Sequence, residues 1–162
     1  MDLEARPATV ADLATLVTLA QEFWAEQRVA RGGVLWAQRE GPQPPPDADA
    51  AVEERYREQL NAVDCLTVVG TIDNAILGYA VVTIEVIPDG SRIGYISELF
   101  VEPAARAVSV GDTMIELVSQ WCQSNGCLGI DAYALPGERL TKNFFEAHGF
   151  KARLLTMHHR FD

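Results

Sequence analysis

Basic side chains are in short supply in this sequence: thirteen Lys and Arg stand against twenty-three Asp and Glu, a formal net charge of −10 over 162 residues. Nucleic acid is not an expected partner, because gripping a phosphate backbone takes a cluster of cations that displaces its counterions. Cysteine is scarce too, and Cys65, Cys122 and Cys127 form an odd set without a C-x-x-C pair. A disulfide framework and a cysteine-based zinc site both lack material, so the three read as structural thiols. No run of eighteen apolar residues occurs, and the opening MDLEARPATV has neither the basic nor the apolar region of a secretory signal. The expectation is a cytoplasmic protein with no membrane partner. His148, His158 and His159 have no further ligands clustered at metal spacing, and no metal site is expected.

What is present suits one domain covering residues 1–162, with 48% hydrophobic and 22% charged residues. The acidic balance either draws in a cationic small molecule or serves solubility alone. Residues 3–6 read as a first strand, closed by Pro7. Thr9 and Asp12 are spaced as a capping box with a shortened acid, and Leu13, Leu16, Val17, Ala20 and Trp24 then recur at helical intervals to about Arg28. Residues 30–50, with two glycines and a proline cluster, read as a long exposed loop: a connector on one reading, a lid on another. Val52, Tyr56, Leu60 and Val63 share one side of a second helix.

Three strands come next. Residues 65–71 and 76–86 are rich in β-branched side chains and flank Asp73-Asn74, a hairpin turn, and Pro88-Asp89-Gly90 leads into a third run over 95–101. A helix then shows Val110, Met114, Leu117, Val118, Trp121 and Cys122 on one face and stops at Asn125-Gly126. Residues 127–135 read as a strand, Pro136-Gly137 opens a last helix ending at Gly149, and residues 151–160 alternate as a final strand. Strand, helix, strand is a crossover unit, so the strands it joins are expected to be parallel.

Between the third of these strands and the long helix runs Pro103-Ala104-Ala105-Arg106-Ala107-Val108-Ser109-Val110-Gly111. A helix start at the end of a strand is an anion site, because its first N–H groups have no carbonyl partners and the positive end of the dipole lies there. The stretch resembles the acyl-CoA-binding motif of the GNAT superfamily of N-acetyltransferases: Arg or Gln, two residues, Gly, one residue, Gly or Ala. Arg106 and Gly111 match the ends, and Ser109 stands where the first glycine is expected. The run KNFFEAHGF over 142–150 resembles a second family signature, a helix ending in Gly-Phe.

The resemblance implies an α+β fold: a mixed, mostly antiparallel sheet with helices on both faces, whose parallel crossover strands splay to admit acyl-CoA. It further implies an acetyl-CoA-dependent N-acetyltransferase acting on a small-molecule amine, with acetyl-CoA or another acyl-CoA as co-substrate and a possible homodimer. Backbone groups of Leu99, Phe100 and Val101 would pair with the pantetheine arm as an added strand. N–H groups from Ala107, Val108, Ser109, Val110 and Gly111 would cradle the diphosphate, with Arg106 beside them and Asn143 and Phe145 along the last helix. Arg139 and Lys142 read either as phosphate partners or as solvated charge. Trp24 and Trp36 are candidates to line the acceptor pocket.

Acyl transfer to an amine needs a base and a proton donor for the departing thiolate. Glu98, the carboxylate within the third of the three strands, is the candidate base; alternatively it faces solvent or pairs with a neighbouring strand. The family's usual tyrosine acid is replaced by Phe145, which leaves Tyr133 or a water as donor. Val108, Ser109, Asp112 and Phe145 depart from the family pattern and favour an alternative: a weak or inactive protein of the same fold that binds acyl-CoA or a partner.

Overall fold

The computed structural model describes residues 1–33, 35 and 48–162. Five strands form one sheet in the order β1 (Leu3–Pro7), β2 (Cys65–Ile72), β3 (Ala75–Val86), β4 (Arg92–Val101) and β5 (Cys127–Asp131). The first four are antiparallel to their neighbours, and β4 and β5 run parallel, as a helical crossover requires. The β2–β3 hairpin closes through Asp73 and Asn74 at φ of 48° and 71°, a left-handed pair whose twist matches that of the strands.

Helices cover both faces. On one lie α1 (Leu13–Val29) and α2 (Asp49–Asn61), whose Leu16, Phe23, Trp24, Val52 and Tyr56 pack with Val69, Tyr79, Val81 and Phe100 of the sheet. On the other lies α3 (Val110–Ser124), whose Val110, Met114, Ile115, Val118 and Cys122 meet Val68, Ala80, Val82 and Ile96, with Phe145 of α4 (Arg139–Ala147). Close approach of α3 depends on glycine: a Cβ on Gly70 would lie 2.6 Å from Val110 and one on Gly94 would lie 2.6 Å from Cys122. Burial pushes the Cys122 thiol up to about 12, which suits a structural role.

The start of α1 is fixed as its sequence suggests. The Thr9 N–H donates to Asp12 at 2.8 Å, and Arg6 closes on both Asp12 oxygens at 2.7 and 3.0 Å. Among the described residues no helix is long and apolar enough to cross a membrane. Two expectations are corrected. Strand β5 ends at Asp131 rather than at 135, and residues 151–160 are not a strand: everything from 151 on is exposed and outside regular structure. Alternating side chains permit a strand, but a ladder also needs a neighbour, and within the described chain neither stretch has one.

Candidate active site

The sheet opens where β4 and β5 part. Their pairing runs through Arg92↔Cys127, Gly94↔Ile130 and Tyr95↔Asp131 and then stops, while β4 continues to Val101 beside β3 alone. A bulge helps to turn the strand away. Opposite β3 the register jumps from Val81↔Glu98 to Val82↔Ile96, leaving Ser97 as the extra residue. Tyr133, just past β5, reaches across the gap and donates its hydroxyl to the Ser97 carbonyl at 3.2 Å. A cavity of about 420 Å³ fills the opening, walled by Ile96, Leu99, Phe100 and Val101 of β4, by Tyr133, and by Phe144 and Phe145 of α4.

At one end the cavity meets the start of α3, where Arg106, Ala107, Val108, Ser109, Gly111 and Asp112 line it. Thr113 makes a backbone bond to the Ser109 carbonyl at 3.3 Å; ahead of it the Val108 N–H donates to the Ala105 carbonyl at 3.1 Å and the Val110 N–H to the Val108 carbonyl at 2.5 Å, while those of Ala107, Ser109 and Gly111 have no backbone partner among the described residues. Gly111 has an added role: a Cβ there would come within 3.0–3.1 Å of the Phe144 ring, so glycine lets α3 and α4 close on each other. Asp112, in the first turn of α3, is held at 2.7 Å by His148 Nε2 from the end of α4. Arg106 is also engaged. Its Nε donates to the Val101 carbonyl at 2.8 Å, its Nη2 meets both Glu26 oxygens at 2.8 and 3.0 Å, and its guanidinium lies over Phe100.

Glu98 lies on the other face of β4, in the core beneath α1 and α2, and is 3% exposed. Its Oε1 accepts from the Tyr56 hydroxyl at 2.8 Å, and that hydroxyl is 3.5 Å from Tyr79 Oη. Burial and the Glu98 carboxylate drive both phenols far above their ordinary range, so both stay protonated.

Most of the sequence-derived cofactor residues share one cavity: Leu99, Phe100, Val101, Arg106, Ala107, Val108, Ser109, Gly111 and Phe145, with Tyr133 opposite. Val110 turns its side chain into the core with Met114, and its N–H, expected to meet the diphosphate, already donates to the Val108 carbonyl; Asn143 is exposed and is not part of the cavity wall. Trp24 is a core residue rather than a pocket wall, 1% exposed and stacked on Tyr56. Trp36 lies outside the described residues. Sequence reasoning missed the wall supplied by α1: Phe23, Glu26 and Gln27 also line the cavity, and Gln27 Nε2 donates to Glu138 Oε1 at 3.3 Å across it. Helical spacing places Phe23 on an apolar face, but nothing along the chain ties Glu26 to Arg106, eighty positions away.

A mixed sheet that parts at a β-bulge and leads into a helix start is the architecture of a transferase fold built around an extended, phosphate-bearing cofactor. The chain belongs to the acetyltransferase (GNAT) family, whose model matches residues 21–150. That family uses acetyl-CoA. The chain is similar over 100% of its length, and 99% of the other, to the structure of AAC(6')-Iy with the bisubstrate analog CoA-S-monomethyl-acetylneamine, with a TM-score of 0.75 at 20% identity. It is similar to glucosamine-6-phosphate N-acetyltransferase from Arabidopsis thaliana, with a TM-score of 0.67 at 17% identity and 100% of both chains covered. A third similar structure is a transcriptional regulator from Bacillus halodurans C-125, with a TM-score of 0.73 at 19% identity, covering 99% of this chain and 100% of that one. No curated protein sequence matches the chain.

Proposed function

We propose that the protein transfers an acetyl or other acyl group from acyl-CoA to a primary amine of a small molecule. The parting of β4 from β5 beside the start of α3 carries this reading: it leaves a backbone edge and a helix N-terminus at two places along one cavity. An extended pantetheine arm fits the edge by β-augmentation, with Leu99, Phe100 and Val101 as its partners, and a diphosphate fits the first turn of α3 around residues 107–111. Bound there, acyl-CoA supplies an activated thioester.

The chain's own groups then divide the remaining work. A β4 backbone N–H near Leu99 meets the negative charge that develops on the acyl oxygen, as the family resemblance implies. Tyr133, held at the cavity wall by the Ser97 carbonyl, is the proton donor for the thiolate. Glu98, buried on the α1–α2 side of β4 with the Tyr56 hydroxyl fixing its carboxylate, is the base and takes the amine's proton through a water rather than by direct contact. Thiol release from acetyl-CoA with a panel of small amines tests the activity. Tyr133→Phe is expected to lower kcat about 100-fold or more, and Glu98→Gln to lower it with unchanged CoA affinity. Thiol release that no amine stimulates overturns the reading.

The second reading, a weak or inactive acyl-CoA-binding module, draws on three observations. Phe145 fills the family's tyrosine position within the core, Glu98 lies off the cavity, and Glu26 engages Arg106. A thermal shift with acetyl-CoA and no amine-dependent turnover supports it.

A further inference from the structure

Two of the three cysteines meet where α3 gives way to β5. The helix stops in a turn set by Gly126, which sits at φ of 75° and whose N–H donates to the Gln123 carbonyl at 3.1 Å. The Asn125 N–H closes on the Trp121 and Cys122 carbonyls at 3.1 and 3.2 Å. At a helix end of this left-handed glycine type, the side chain after the glycine folds back onto the residue three before the cap. Those two residues are Cys127 and Cys122.

Their meeting is observed. Cys127 packs against the core cluster that holds Cys122, and the Cys122 thiol shares a hydrogen bond with the Cys127 thiol. Strand β4 lies beside both: Arg92 is the ladder partner of Cys127, and a Cβ on Gly94 would lie 2.6 Å from Cys122 Sγ. The two sulfurs differ in access, because Cys127 is half-buried and Cys122 is 1% exposed. Burial also holds Cys122 as the thiol, which spares it direct oxidation. Cys65 packs against the other core, on the opposite face of the sheet, and is no rival partner within the chain.

We propose that Cys127 and Cys122 form an oxidative modification site, closed to a disulfide by hydroperoxides. The Cys127 thiolate attacks one peroxide oxygen. An S–O bond forms, the O–O bond breaks, and the second oxygen leaves as hydroxide, which takes up the proton Cys127 has lost. The Cys122 sulfur then attacks the sulfenic sulfur of Cys127. An S–S bond forms, the S–O bond breaks, and the Cys122 proton departs with that oxygen as water. Two electrons pass from the pair to the peroxide, and no further reactant is consumed. Since the thiols already touch across a four-residue turn, the body of the fold need not open. The bond joins the end of α3 to the start of β5, remote from the helix start that lines the cavity.

The test uses the full chain with hydrogen peroxide as oxidant. Trypsin leaves both cysteines in one peptide, 107–139, because no Lys or Arg stands between Arg106 and Arg139. After treatment this peptide is expected to be lighter by two hydrogens and to accept iodoacetamide only once dithiothreitol has been added. Cys122→Ser is expected to leave Cys127 as a sulfenic acid that dimedone traps. Cys127→Ser, a change outside the buried core, is expected to slow loss of the Cys122 thiol at least about a hundredfold. Conversion of Cys127 to the sulfinic acid while Cys122 still takes up iodoacetamide overturns the proposal. A bridge to Cys65 or to a second chain, or one that forms only after urea has unfolded the protein, does the same. So does survival of both thiols at a peroxide dose that oxidises Met157, which is 87% exposed.

Discussion

Arg106 arrives at the cavity with its charge already spoken for by Glu26, and that pairing sets what the residue can offer a phosphate. Both side chains are about four-tenths exposed, so the pair is worth only ~0.2–1 kcal/mol, yet it opposes any anion that needs Arg106 and adds a like charge nearby. Glu26→Gln is therefore expected to tighten CoA binding about two- to fivefold by calorimetry, and the gain should shrink as salt is added. Unchanged or weaker binding would mean that Arg106 does not meet the phosphates. Trp24 belongs to a different category. Buried against Tyr56, it should behave as core, so Trp24→Ala is expected to cost about 3–5 kcal/mol of unfolding free energy in urea. A stable variant with only a raised KM for the amine would return Trp24 to the acceptor pocket.

At the scale of elements, the sequence was most legible where local chemistry decides the outcome. Thr9 with Asp12, the Asp73-Asn74 turn and the Val110–Met114–Val118–Cys122 stripe each announce a cap, a hairpin and a buried helix face, and each is found. Pairing beyond a strand's own residues was not legible. The run 132–135 has strand-like side chains, but β4 has already veered away at Ser97, and no alternation within 127–135 records that. The candidate site divides along the same line: the loop before α3 could be read from its order, whereas the α1 wall and the His148–Asp112 contact arise from tertiary meeting. Gly111 joins both levels. Gly111→Trp is expected to force α3 and Phe144 apart and abolish CoA binding, seen as loss of the thermal shift with acetyl-CoA. Retained binding would place the diphosphate elsewhere.

Across the whole molecule, stability against acid depends on where buried carboxylates are held. The Arg6 guanidinium and the Thr9 N–H, against the opposing effect of burial, keep Asp12 below the usual carboxylate range. A depressed value means that this contribution is present above the ordinary Asp pKa and fades as pH drops through the lower, folded one. Since Arg6 is partly in water, the pair and cap together contribute about 1 kcal/mol. Asp12→Asn should melt lower than the parent at neutral pH, with the two curves converging toward pH 2 in a calorimetric series. A gap independent of pH would assign the loss to packing alone.

In β4, side chains at 98 and 100 face one interior and those at 99 and 101 the other, while the border toward β5 is left to the main chain. A guest that reads amides rather than side chains is blind to most substitutions there, so the lineage of such a groove can drift in spelling and keep its grip. Proline is the exception. Placed at 99 or 101, it erases the very group being read, and a scan of this ribbon should register that single amino acid above all others.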